Sequence, residues 1–226
     1  MDELRKTSAA DQGRAIANGT TDARALTEVY LSAIAAHPHR DRIYVRTTPE
    51  RARAEAAAAA ERAKSGMLKG PLDGVPISWK DLYDVAGVGC EGGTKLLAGR
   101  IPDADCEVVR RGSAAGTICL GKTHTTEIAF SGLGVNPMAA TPPNAIEPTR
   151  APGGSSSGAA VSTKLDLAGL GIGSDTGGSV RIPAGWNDLV GLKTTAGQIP
   201  TTGVIALSRT YDTVGPLTKT VEDAAL

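Results

Sequence analysis

Apolar residues recur at helical spacing in the first third of the chain. Leu26, Val29, Tyr30 and Ile34 fall on one side of a helix that Thr21 or Asp22 would cap and that ends near His37. A second helix opens at Thr48-Pro49, with proline at its first position, and runs through Ala-rich sequence to a glycine stop at Ser65-Gly66. Its Ala, Glu and Arg content predicts a helix on the outside of the domain. The pattern then changes. Val75 to Trp79 reads as a short strand, Glu107 to Ala115 as a helix and Thr117 to Leu120 as a buried strand. Thr125 to Phe130 reads as a helical turn, Ser157 to Asp166 as a helix and Leu167 to Ile172 as a strand. Residues 131–154, rich in Gly, Pro, Asn and Ser, read as a long ordered loop or binding segment. Alternating strands and helices predict an α/β fold with a mixed sheet, without internal repeats or a domain linker.

Composition alters this picture in two places. Only 3% of residues are aromatic, with a single Phe, while Gly numbers 28. The core must therefore rely on close backbone packing rather than on large rings. The formal net charge is zero, so no basic field draws the chain to nucleic acid. No apolar run is long enough to span a membrane, and the first residues lack a secretory signal. Cys90, Cys106 and Cys119 are odd in number and lack metal-site spacing, so they read as reduced thiols in a cytoplasmic protein.

Two Gly/Ser-rich loops carry the candidate chemistry: Gly153 to Gly158, and Asp175-Thr176-Gly177-Gly178-Ser179. A helix and a strand join them, which would bring both to one edge of the sheet. Consecutive glycines let backbone N–H groups converge on an anion, and a serine after such a concavity can attack a carbonyl while those groups hold the oxyanion. Taken singly, each loop reads first as a turn. A nucleophilic serine needs a base. His37, His39 and His124 have no triad context, and His37-Pro38-His39 fits a solvated helix end. Lys80 is the alternative, since burial would lower its pKa, but composition and spacing alone do not select it over a solvated charge.

Other short motifs weigh less. Gly116 to Thr123 fits the phosphate-loop pattern, but its central residues are β-prone and read as the strand itself. Gly87 to Gly92 fits a dinucleotide fingerprint with no helix after it. Asp175-Thr176-Gly177 matches the aspartic-protease triplet without the second carboxylate that this chemistry requires.

The segments Gly70 to Asp81, Gly121-Lys122-Thr123, Gly153 to Gly158, Gly171 to Pro183, Val190 to Lys193 and Asp212 to Leu217 together resemble the amidase signature family over nearly the whole chain. The resemblance implies a mixed sheet covered by helices on both faces. It makes residues 1–226 one domain, with a helical N-terminal segment (1–66) and an α/β catalytic core (70–226). It implies a Ser-Ser-Lys triad: Lys80 the base, Ser155 the relay, after a cis peptide bond, and Ser179 the nucleophile. The N–H groups of Thr176, Gly177, Gly178 and Ser179 would form the oxyanion hole. Gly154, Ser156, Asp175 and Arg181 would support the loops, Asp175 and Arg181 as a pair. No metal or cofactor is implied.

Two positions depart from the family. Lys164 stands where a small residue is usual, and Asp188 replaces a usual Gly; both read as solvated charges. Thr220 to Asp223 resembles a helix cap, yet only three residues follow it, so the chain is expected to end inside a longer fold with its C-terminal part missing. Three function classes follow. The first is an amidase acting on a small-molecule amide, weakened by truncation. The second is the glutaminase component of a tRNA-dependent amidotransferase, against which the neutral charge argues mildly. The third is a non-catalytic remnant or binding module. The expected partner is a second copy or a complementing C-terminal chain.

Overall fold

The computed structural model describes residues 2–226. In chain order its elements are helices α1 (Asp2–Arg5), α2 (Ala9–Ala17), α3 (Ala23–Ala36) and α4 (Arg40–Ile43), strand β1 (Tyr44–Thr47), helix α5 (Pro49–Lys64), strand β2 (Pro76–Lys80) and helix α6 (Glu107–Ala114). Strand β3 (Ile118–Thr123), helix α7 (Ser157–Lys164), strand β4 (Leu170–Asp175), helix α8 (Arg181–Trp186), strands β5 (Val190–Gly191) and β6 (Thr213–Thr218) and helix α9 (Val221–Ala225) complete it.

Local chemistry explains the ends of these helices. Asp22, not Thr21, caps α3, its side chain accepting from the Arg24 N–H. Pro49 starts α5, and Gly66 follows its C-cap with φ +68°. The outer face of α5 is solvated as expected, but Ala52, Ala56, Ala59 and Ala60 are buried on the other. Small side chains here let α5 pack closely on α3 and β3, which is how a chain with few aromatic residues builds its core. At the C-terminus Thr220 and Asp223 close a reciprocal capping box over α9.

The six strands form one mixed sheet in the order β1-β3-β2-β4-β6-β5. β2 runs parallel to both β3 and β4; the outer pairings are antiparallel. Residues 1–66, expected to be helical, thus also supply β1, an edge strand. Alternation along β2 sends Ser78 and Lys80 to the face covered by α7, where Ser78 Oγ and Ser162 Oγ hydrogen-bond at 2.9 Å. Trp79 points the other way, towards α6, where its ring lies about 3.0 Å from the position a Cβ would take at Gly112. The element at Thr125 to Phe130 is a short 3-10 turn, Glu127–Ala129. No described helix is long and apolar enough to cross a membrane.

Candidate active site

The parallel strands β2 and β4 end side by side, and loops leave both at the same edge. β2 delivers Lys80, which is fully buried. Its Nζ donates to Ser155 Oγ at 2.6 Å and to Ser174 Oγ at 2.9 Å. Burial lowers the Lys80 pKa to about 7, opposed only in part by the charges of Asp212 and Asp175. An ammonium in this position loses its hydration and has two serine hydroxyls in its place, so the neutral amine becomes accessible near neutral pH.

Ser155 sits in the loop before α7, after a cis Gly154–Ser155 peptide bond. Gly154 is there because the backbone of Gly134 passes too close for a side chain: a Cβ would lie 2.7 Å from the Gly134 Cα and N. Ser156 ties this loop to β4. Its hydroxyl donates to the Ser174 carbonyl at 3.2 Å and accepts from the Ser174 N–H at 3.3 Å, while its N–H donates to the Ser179 carbonyl at 3.2 Å. The two Gly/Ser-rich loops are therefore bonded directly to one another.

Asp175, at the end of β4, organises the second loop. One carboxylate oxygen accepts from the Gly178 N–H at 2.8 Å and the other from the Val180 N–H at 3.2 Å. Arg181 closes on both oxygens at 3.0 Å. Burial pushes the Asp175 carboxyl up, but Arg181 and these N–H groups together hold it below the usual carboxylate value. The expectation for Gly178 changes accordingly, because its N–H points at Asp175 and not at an incoming oxyanion. The N–H groups of Thr176, Gly177 and Ser179 have no partner among the described residues. Ser179 is buried, and its Oγ likewise has no partner among the described residues.

Two residues of the site lie in the segments that carry the resemblance but had no role assigned from the sequence. Ser174 is the second acceptor of Lys80, and Asp212 receives the Thr176 hydroxyl at 2.5 Å and the N–H groups of Leu207 and Ser208 at 2.9 and 3.0 Å. Strand alternation marks Ser174 only once its neighbours in the sheet are known.

The remaining candidates lie elsewhere. His124 is buried with Nε2 at 3.1 Å from the Asp41 carbonyl, and burial lowers its pKa. Asp81, next to Lys80, pairs instead with buried Lys122 at 2.9 Å. Residues 118–123 form β3, so the phosphate-loop pattern has a strand where its loop should be. The three cysteines are buried free thiols. Lys164 and Asp188 turn out to be partners, at 2.7 Å, with the Asp188 side chain 82% exposed. Asp188 has φ +53°, a left-handed conformation that glycine adopts without strain, which accounts for the glycine usual at this position.

The chain belongs to the amidase family, whose sequence profile, described as Amidase, matches residues 25–226. It is 38% identical to the A-type component of the glutamyl-tRNA(Gln) amidotransferase of Chloroflexus aurantiacus, over all of this chain and 46% of that protein. It is 47% identical to the 2-amino-5-chloromuconic acid deaminase of Comamonas testosteroni, over 77% of this chain and 38% of that one. The peptide amidase of Stenotrophomonas maltophilia superposes with a TM-score of 0.90 at 36% identity, covering 97% of this chain and 46% of the other. The chain spans about half the length of the curated relatives it matches or less.

Proposed function

We propose that this chain carries the reacting groups of an amidase that cleaves carbon–nitrogen amide bonds through Lys80, Ser155 and Ser179. The observation that carries the reading is the buried Lys80 amine, 2.6 Å from Ser155 Oγ. A lysine that is half neutral near pH 7 can act as a base. In its neutral form Lys80 accepts the Ser155 proton as Ser155 takes the proton of Ser179, and Ser179 Oγ attacks the amide carbonyl. The free N–H groups of Thr176, Gly177 and Ser179 receive the oxyanion, and Asp175 keeps their loop in shape through Gly178 and Arg181. The proton returns through Ser155 to the leaving amine. Water then hydrolyses the acyl-enzyme by the same relay. These steps need no metal or organic cofactor.

The substrate is a small-molecule amide. A second reading, as the glutaminase component of an amidotransferase, is favoured by the 38% identity to a protein of that kind over the whole chain. It uses the same residues and differs in needing partner proteins for activity. The proposed partner is a complementing chain or a second copy, in line with the similarity to one component of an amidotransferase. Three buried free thiols and no disulfide fit a reducing compartment, the cytoplasm.

A fluorophosphonate probe tests the reading. Ser179 should be labelled in the folded protein and labelling should vanish in Ser179→Ala. Well-folded protein that leaves Ser179 unlabelled is a non-catalytic remnant. Glutamine hydrolysis that emerges only with partner proteins selects the second reading.

A further inference from the structure

We propose that Asp212 is a positioning residue of the reaction: through the Thr176 hydroxyl it holds the loop whose N–H groups receive the oxyanion, and so governs how fast Ser179 is acylated. This rests on the amidase reading and adds a residue to the same site. The sheet puts Asp212 in place. β4 and β6 run antiparallel with Asp175 opposite Thr213, so Thr176, just after β4, meets Asp212, just before β6. The Thr213 hydroxyl donates to the Asp175 carbonyl at 2.8 Å and fixes that register. One Asp212 oxygen then accepts the Thr176 hydroxyl at 2.5 Å, and the other accepts the Leu207 and Ser208 N–H groups at 2.9 and 3.0 Å.

Little else restrains Thr176 and Gly177. Asp175 bonds their loop further on, at Gly178 and Val180. Thr176 is half-buried and Gly177 exposed, and a Cβ at Gly177 would meet nothing within 4 Å. Packing therefore leaves this part of the loop free, and the bond to Asp212 is the one that the Thr176 side chain makes among the described residues. The far end of the tie is firm. Asp212 grips Leu207 and Ser208, and the stretch just before them lies along the chain that continues from Lys80. The Ile205 N–H donates to the Leu82 carbonyl at 2.9 Å and the Asp84 N–H to the Gly203 carbonyl at 3.3 Å. Asp212 thus ties the loop of the nucleophile to a segment fixed on the strand of the base. An oxyanion donor displaced by about 1 Å can cost a hundredfold in rate, so such a tie has a kinetic consequence.

The same carboxylate acts on the base by its charge. Asp212 and Asp175, in that order, are the charges that favour the Lys80 ammonium. Asp175 is paired with Arg181, whereas Asp212 has no ion pair among the described residues. The other groups facing Lys80 are uncharged: Ser155 from the loop before α7, Ser174 from β4, and Thr123 opposite it on β3.

The test follows fluorophosphonate labelling of Ser179, read as a maximal rate and a half-saturating probe concentration. Asp212→Asn leaves one acceptor oxygen for two sets of donors, and Thr176→Val removes the hydroxyl. Each should lower the maximal rate by about 10- to 100-fold with little change in the half-saturating concentration. The double variant should be no slower than the slower single one, because both break one bond. Thr176→Ser, which keeps the hydroxyl, should recover most of the loss seen in Thr176→Val. Asp212→Asn should also move the labelling inflection to lower pH, since a charge that favours the ammonium is gone, and Thr176→Val should leave it in place. Amide hydrogen exchange reads the hold on the loop without any chemistry. The Gly178 N–H should exchange at least about tenfold faster in both variants, with circular dichroism showing each folded. Labelling at the wild-type rate, losses that multiply in the double variant, or unchanged Gly178 exchange each overturn the proposal. Wild-type Ser179 that stays unlabelled removes the amidase reading instead, and faster Gly178 exchange in both variants then keeps Asp212 as the holder of this loop.

Discussion

The pH dependence of Ser179 acylation should report the titration of Lys80. Burial brings that amine from an ordinary value of 10.5 to about 7. The difference corresponds to about 5 kcal/mol against the charged form. At pH 7 about half of Lys80 is then neutral, against roughly three molecules in ten thousand for a solvated lysine. The perturbations are pH itself and Lys80→Ala, and the assay is the rate of Ser179 labelling by a fluorophosphonate. The wild-type rate should climb about tenfold per pH unit below neutrality and level off above about pH 8. Lys80→Ala should lower the plateau by about 10²- to 10⁴-fold and remove the inflection. The same burial sets a stability trend. Between pH 7 and 10.5 the unfolded chain binds a proton that the folded one has given up, so stability rises with pH across that window. For this group the rise is at most about 5 kcal/mol, and urea titrations of Lys80→Met should lack it. A labelling rate that keeps climbing to about pH 10, where ordinary lysines titrate, would refute the reasoning.

Ser174→Ala removes an acceptor 2.9 Å from Lys80 Nζ. An acceptor favours the charged amine more than the neutral one, so the inflection should move to lower pH by up to about one unit; an unmoved inflection denies Ser174 that role. Gly154→Ala puts a Cβ 2.7 Å from the Gly134 backbone and should destabilise by about 3 kcal/mol in urea, with a loss under about 1 kcal/mol meaning that the two loops can part. In the Lys164–Asp188 pair the aspartate is exposed and the lysine half-buried. A double-mutant cycle should give about 0.2–1 kcal/mol and less in molar salt, and a larger coupling contradicts the exposure.

Much of this fold was legible from local pattern, because the cause was local. The α3 period, the proline at the start of α5, the Thr220–Asp223 cap and the β-prone run Thr117 to Leu120 each name an element through neighbours within a few residues. The strand β6 and the edge strand β1 had no such periodic signature, since each is defined by pairing across the sheet, β1 with β3 and β6 with β4. Likewise the Ala-rich run between Pro49 and Gly66 marked α5 as helical, while the face it buries depended on what packs against it.

The candidate site divides the same way. By itself the sequence nominated the groups proposed to react: the two Gly/Ser loops, Ser155, Ser179 and Lys80, through a long pattern that resembles one family. What Lys80 can do was decided only by tertiary structure. Desolvation comes from every element that covers a residue, and here β2, α7 and β4 remove water from an amine far in sequence from its two serine partners. The same holds for Gly178. Its place in the motif suggested an oxyanion donor, and the direction of its N–H, towards Asp175, was fixed by how the loop folds. Lys164 and Asp188 read separately as two surface charges, and only the approach of α7 to the turn after α8 made them a pair. A sequence names groups and local conformations; distance, burial and the direction of a hydrogen bond belong to the packed chain.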